Sequence, residues 1–196
     1  MNMQGPWTDR SRNGWPHGGF TLVELIVVIA LISVLATVGV PGLKQSLDRN
    51  RAVSAMMELH ALLNLARQTA VTRNVEVTVC GVDQDMKCIE PWQGHSTLVF
   101  IDRNHNRRVD PNELITANSH LTRDGQIRWR ASGGRDYLRY HRTGAVKDIG
   151  TFGYCPWNES QAIAGIIINK VGRPRAAPDT DLNGYIENGS GRAIEC

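Results

Sequence analysis

Near the far end of the chain, Lys170-Val171-Gly172-Arg173-Pro174-Arg175 has the residue types and spacing to hold phosphate. Gly172 lets the backbone turn or approach a ligand closely, while Pro174 fixes its own φ and biases Arg173 toward an extended conformation. In an extended chain residues two apart share a side, so Arg173 and Arg175 would project together about 6.6 Å apart. The planar, permanently charged guanidinium fork grips phosphate oxygens in two-pronged fashion. Lys170 adds a third cation. Taken alone, such a run also describes an ordinary solvated loop.

A second basic region lies upstream. Arg123, Arg128, Arg130, Arg135, Arg139, Arg142 and Lys147 face only Asp124 and Asp136 as acids in the same stretch. In Ile127-Arg128-Trp129-Arg130-Ala131 the period of two puts Ile127, Trp129 and Ala131 on one face and both arginines on the other. With Arg139 and Arg142, that outer face is either a phosphate-facing surface or the solvated side of a half-buried sheet.

Oxygen-rich loops are the third candidate. Asp102, Asn104, Asn106, Asp110 and Glu113 stand at positions 1, 3, 5, 9 and 12 of a calcium-type loop. Its sixth position, where the sharp turn wants glycine, is Arg107, and the flanks read as strands, so the plain reading is an Asx-rich hairpin turn without metal. A partial second match, Asp179-Thr180-Asp181-Leu182-Asn183-Gly184, has its glycine but meets Ser190 where a bidentate glutamate is expected. Four cysteines, Cys80, Cys88, Cys155 and Cys196, allow three pairings. The spacing favours Cys80 with Cys88 across a short loop and Cys155 with Cys196, fastening the last residue to the body. A zinc site is the rival, but no CxxC pair occurs. His60, His95, His105, His120 and His141 are scattered, and no nucleophile motif or paired-carboxylate signature appears, so we expect neither enzyme nor cofactor.

The elements that must carry these groups begin with a long helix. From Leu25 to Val40 there is no charge, and the segment is apolar on every side, as a membrane-seeking helix is. Pro41 should kink it, with Gly39 and Gly42 loosening it further. Beyond Pro41, Ala52, Met56, Leu59, Leu63, Ala66 and Ala70 recur at alternating steps of four and three, so the helix continues to about Thr72 as an amphipathic half. Strand patterns follow in Val75–Val79, Thr97–Ile101, Glu113–Ala117, Gln126–Ala131, Tyr137–Arg142, Thr151–Cys155 and Ala162–Asn169, separated by turn residues. The expected class is α+β, a long N-terminal helix packed on a mainly antiparallel sheet. The segments are 1–19, 20–42 (membrane or assembly helix), 43–73 (amphipathic half), 74–175 (β-rich domain) and 176–196 (an acidic tail). The formal charge of +3 is too small for bulk attraction to nucleic acid, which must rest on local clusters.

Gly18-Gly19-Phe20-Thr21-Leu22-Val23-Glu24 places a cleavage point before the apolar run, whereas a secretory signal peptide is cut after it. This arrangement, with the sheet region and GRPR after the late apolar strand, resembles the type IV pilin-like proteins of the GspH/FimT family. The resemblance implies removal of Met1–Gly19 by a prepilin peptidase and methylation of the new terminus, Phe20. It also implies assembly with other pilin subunits, in which Glu24 meets the N-terminal amine of a neighbour. A carboxylate at that depth needs such a partner or a route to the membrane surface. The resemblance marks Gly172, Arg173 and Arg175 as contacts for extracellular double-stranded DNA during natural transformation, with Lys170 and the strand arginines beside them. Its other implication is a structural minor pseudopilin of type II secretion, or a pilus-priming subunit, without DNA binding. In either case the protein would start as a single-pass protein of the bacterial inner membrane, globular domain in the periplasm, and move into a pilus or pseudopilus.

Overall fold

The computed structural model describes residues 19–93, 96–121 and 124–196, with backbone only at residues 38–41 and 93. The leader up to Gly18 and Arg123 therefore lie outside the described residues. Contacts divide the chain into two compact units, 1–43 and 44–196.

Helix α1 runs from Leu22 to Arg73, 52 residues, and is helical through Pro41. Both ends are capped in ways the sequence explains. Thr21 Oγ1 accepts from Glu24 N at 3.2 Å, and Thr21 O from Leu25 N at 3.1 Å, the N-cap geometry of a Thr-x-x-Glu start. At the other end Asn74 takes a left-handed φ of 55°, and Val75 N donates to Ala70 O, closing a Schellman turn that hands the chain to the first strand.

In the first unit every described side chain of the apolar run is exposed, Phe20 and Leu35 among them, and this stretch is long and apolar enough to cross a membrane. In the second unit the same helix is one-sided. Ala52, Met56, Leu59, Leu63, Ala66 and Ala70 are all buried, as their spacing requires, joined by Ala55 and Leu62.

Among the described residues, ten strands form two antiparallel sheets: β1 Val77–Val82, β2 Cys88–Ile89, β3 Trp92–Gln93, β4 Thr97–Phe100, β5 Ile115–Ser119, β6 Gly125–Ala131, β7 Leu138–Tyr140, β8 Gly150–Pro156, β9 Ala164–Ile168 and β10 Pro174–Ala176. One sheet has the order β2-β1-β4-β5, with β7 also paired to β1; the other is β10-β9-β8-β6-β3. The sequence pattern indicates seven of these strands; β2, β3 and β10 are only two or three residues long and leave no period.

The two sheets and the amphipathic half of α1 share one core. At its centre Trp129 stacks on Phe152 at 4.2 Å, and Trp92 tilts against the same ring at 5.1 Å. Gly81 of β1 admits the Trp92 ring, since a Cβ there would come within 2.7 Å of it. Disulfides join Cys80 to Cys88 and Cys155 to Cys196. The second leads to a smaller core of Cys155, Ala162, Ile186 and Ile194, so the acidic tail is folded onto the sheet as well as tethered to it. Ala162 N to Ile194 O and Ile186 N to Ala162 O thread it along that edge.

Candidate functional site

The basic run Lys170–Arg175 forms the turn between β9 and β10 and the start of β10. Gly172 N donates to Asn169 O at 2.8 Å, and Arg173 N to Asn169 Oδ1 at 3.1 Å, so the asparagine templates the turn with backbone and side chain together. Gly172 has φ 76°, and a Cβ there would overlap the carbonyl oxygen of Gly144. Only glycine fits, for reasons of packing and backbone conformation. Pro174 opens an edge strand that pairs only with β9, Arg175 opposite Ile167, which suits a residue without an N–H.

The neighbour that forces this glycine is a second turn. Gly144 N donates to His141 O at 2.7 Å, Val146 N reaches Lys170 O at 3.2 Å, and Arg67 of α1 donates Nε to Gly144 O at 3.1 Å. The loop carrying Arg142, braced by the helix, thus abuts the loop carrying Lys170 and Arg173. Arg142, Lys170, Arg173 and Arg175 are all exposed, and none is in an ion pair among the described residues. Exposed cations on adjoining turns are what a phosphate surface requires.

The other strand arginines do not join them. The alternation along β6 is as expected, with Ile127 and Trp129 buried, but the outer face is already occupied. Arg128 lies 3.7 Å from Glu90, whose other oxygen accepts Trp129 N at 3.1 Å. Burial pushes the Glu90 carboxyl above its ordinary range, against the pull of Trp129 N and Arg128. Arg130 donates to the carbonyl of Glu195 in the tail at 3.3 Å. Arg139 is the most committed. Its Nη2 meets Asp102 Oδ2 at 2.6 Å, its Nε donates to Thr78 Oγ1 at 3.1 Å, and its guanidinium lies 4.9 Å from the Tyr137 ring centroid. The surface drawn from Arg128, Arg130, Arg139 and Arg142 therefore reduces to Arg142, because the other three serve partners within the chain.

The same pair accounts for the first calcium-type loop. Arg107 adopts the left-handed conformation (φ 64°) at the glycine position, and its N donates to Asp102 Oδ2, so the backbone fits the pattern despite the missing glycine. The side chains are bonded within the loop. Asp110 Oδ2 accepts from the side-chain amides of Asn104 and Asn106, and the two oxygens of Glu113 accept Arg103 N and Asp110 N. Asp102 is buried and already has the Arg139 cation. The loop is a self-bonded Asx turn between β4 and β5.

Nearby, His141 Nδ1 lies 2.7 Å from Glu76 Oε1. Partial burial works to raise the Glu76 carboxyl, but the hydrogen bond and charge of His141, helped by His105 and Arg139, hold it below its ordinary value. At the opposite end, Gly19 and Phe20 are exposed ahead of α1, and Glu24 lies in its first turn. There a carboxylate also favours the helix dipole. The capping role of Thr21 was readable as Thr-x-x-Glu, whereas the Arg139–Asp102 pair, 37 residues apart, had no local signal.

Residues 55–172 match the family described as Type II transport protein GspH, and residues 16–40 match the prokaryotic N-terminal methylation motif. Over 57 residues the chain is 40% identical to the type II secretion system core protein G of Pectobacterium carotovorum, covering 28% of this chain and 36% of that protein. Over 111 residues it is 33% identical to the pilin-like protein PilA1 of Thermus thermophilus, covering 57% and 62%. The chain thus spans about a third to two thirds of the length of the curated relatives it matches. Among solved structures it is similar to the type IV minor pilin FimU of Pseudomonas aeruginosa, with 20% identity over 66% of this chain and 90% of that one, at a TM-score of 0.47. It is also similar to the minor pseudopilin EpsH of the Type 2 Secretion System of Vibrio cholerae, with 14% identity, coverage of 64% and 94%, and a TM-score of 0.45. With more than half of its length matching that family's model, behind an N-terminal methylation motif, this chain belongs to the GspH family of type IV pilin-like proteins.

Proposed function

We propose that this protein is a minor subunit of a type IV pilus or related filament and that its basic turns bind extracellular double-stranded DNA without sequence preference. The subunit reading rests on α1, whose apolar first half is exposed among the described residues while its second half is built into a domain core. Cleavage between Gly19 and Phe20 and methylation of Phe20 would leave that half as the element that first holds the protein in the inner membrane and then packs among neighbouring subunits. Glu24 would meet a neighbour's terminal amine there, answering the cost of burying its charge. The curated relatives, a secretion-system core protein and a pilin-like protein, support this reading.

The DNA reading is carried by one observation: Arg142, Lys170 and Arg173 on two abutting turns, and Arg175 on the strand that follows, are exposed and in no ion pair among the described residues, while Arg128 and Arg139 are paired within the chain. Contact with backbone phosphates alone predicts weak binding that falls steeply with salt. The test is a salt series of duplex binding by the 44–196 unit and by the same unit with R173Q and R175Q. Loss of most affinity and a shallower salt slope are expected; undiminished binding by the variant, or no binding by the parent at low salt, would exclude the clamp. A structural pseudopilin without DNA binding is the second reading, favoured by the family match to Type II transport protein GspH. It predicts that the double variant still restores secretion or pilus assembly in a strain lacking the protein.

A further inference from the structure

The tail holds a loop in which two buried carboxylate oxygens have no hydrogen-bond partner among the described residues. Asp179, Asp181 and Glu187 present carboxylate oxygens that all lie within 4.8 Å of one another. Glu187 is only 5% exposed, and its two oxygens differ. Oε2 accepts Thr180 N at 2.7 Å and Thr180 Oγ1 at 2.8 Å, whereas Oε1 is buried with no hydrogen-bond partner. Asp179 repeats the pattern, with Oδ2 accepting Gly184 N at 3.0 Å and Oδ1 buried and unpartnered. None of the three carboxylates is in an ion pair among the described residues. Buried acceptors are normally satisfied, and three carboxylates this close repel one another. A cation between them would answer both.

The backbone is shaped for one. Asp179, Asp181, Asn183, Tyr185 and Glu187 occupy positions 1, 3, 5, 7 and 9 of a calcium-type loop, with glycine at position 6. Gly184 takes φ 93° and Leu182 φ 60°, the second an 86% exposed leucine in a left-handed conformation at the tip. Asp181 Oδ1 accepts Asn183 N at 3.2 Å, and Asn183 Oδ1 accepts Tyr185 N at 2.8 Å, successive Asx turns that wind the chain around a point. The loop ends are fixed, since Glu187 N donates to Pro178 O at 3.0 Å, Ile186 is buried, and the Cys155–Cys196 disulfide closes the tail behind it.

We infer that residues 179–187 form a calcium site, in which Asp179, Asp181 and Glu187 supply carboxylate oxygens, Asn183 its amide oxygen and Tyr185 its backbone carbonyl. Glu187 at position 9 takes the place of the glutamate missing at position 12. An all-oxygen set without His or Cys selects a hard cation, and an irregular loop suits the variable coordination of calcium better than the strict octahedron of magnesium. Bound calcium would clasp the tail to the sheet it lies on.

The test uses the full-length oxidised protein in detergent, freed of metal with EDTA. Titration calorimetry with calcium chloride is expected to give one ion per chain with Kd of about 0.1 to 1 mM, as for extracellular calcium modules. At 10 mM calcium the unfolding midpoint should rise by about 3 to 10 °C. D181A should weaken binding at least tenfold while leaving the midpoint in EDTA within about 2 °C; if D181A does not fold, D181N should show the same loss. D110N, in the self-bonded loop 102–113, should bind as the parent does. No heat and no shift in the parent up to 10 mM calcium, unchanged binding by D181A or D181N, or loss of binding in D110N would each overturn the site.

Discussion

Arg139 and Arg173 are the same side chain put to opposite uses. Arg139 is 16% exposed, fixed between Asp102, Thr78 and the Tyr137 ring, and holds together the β1, β4 and β7 corner of the first sheet. Arg173 stands in solvent on a turn whose shape is maintained entirely by others: Asn169, Gly172 and the Gly144 carbonyl. One arginine is needed by the fold, and the other is only displayed by it. Charge counting along the chain treats them alike; what separates them is whether a carboxylate from a distant strand arrives at the same place.

Several substitutions break or sharpen that contrast, all measured by denaturant unfolding of the 44–196 unit. R139M should do the most damage, about 3 to 5 kcal/mol, because it leaves the buried Asp102 carboxylate without its cation. Replacing Cys155 and Cys196 together by serine opens a link across 41 residues and should cost about 2 to 4 kcal/mol, freeing the tail. G172A should cost about 1 to 3 kcal/mol, since the left-handed backbone and the Gly144 carbonyl both oppose a Cβ. That loss would also show that the basic turn is rigid and not merely exposed. R173Q with R175Q should change stability by less than about 0.5 kcal/mol. A large loss there would erase the distinction between the two arginines.

Another small effect is one of pH. The Glu76 carboxyl is lowered in the folded state, so its contribution is present above its ordinary value near 4.5 and is lost as pH falls through the depressed folded value. E76Q should leave stability almost unchanged at low pH and lower it by under about 1 kcal/mol at neutral pH, flattening the acid limb of the profile.

Much of the frame was legible because period carries it. The six apolar positions from Ala52 to Ala70 fall on one helical face and are buried without exception. Alternation in Ile127–Ala131 likewise set the inner face of β6. Pairing was not legible: nothing in a single strand says that β1 would share its partners among β2, β4 and β7 while β8 and β9 went to a second sheet. Nor could β10 be seen, since three residues beginning with proline have no period and owe their strand to β9. At the candidate sites the reading of Lys170–Arg175 needed only local turn chemistry. The strand arginines needed Asp102 and Glu90, which arrive from elsewhere in the fold. At the Asp179 loop a glutamate was sought at position 12, whereas the fold brings Glu187, at position 9, beside Asp179 and Asp181.

The aromatic stack at the centre of the core has a spectroscopic consequence. Of five tryptophans, Trp7 and Trp15 would leave with the leader, and Trp157 is 56% exposed. Trp92 and Trp129 both rest on Phe152, and Trp92 also covers Gly81 of the other sheet. Their emission should therefore be blue-shifted while the two sheets are together and move to the red as they part. Against the constant background of Trp157, the mature chain would carry its own optical gauge of sheet separation.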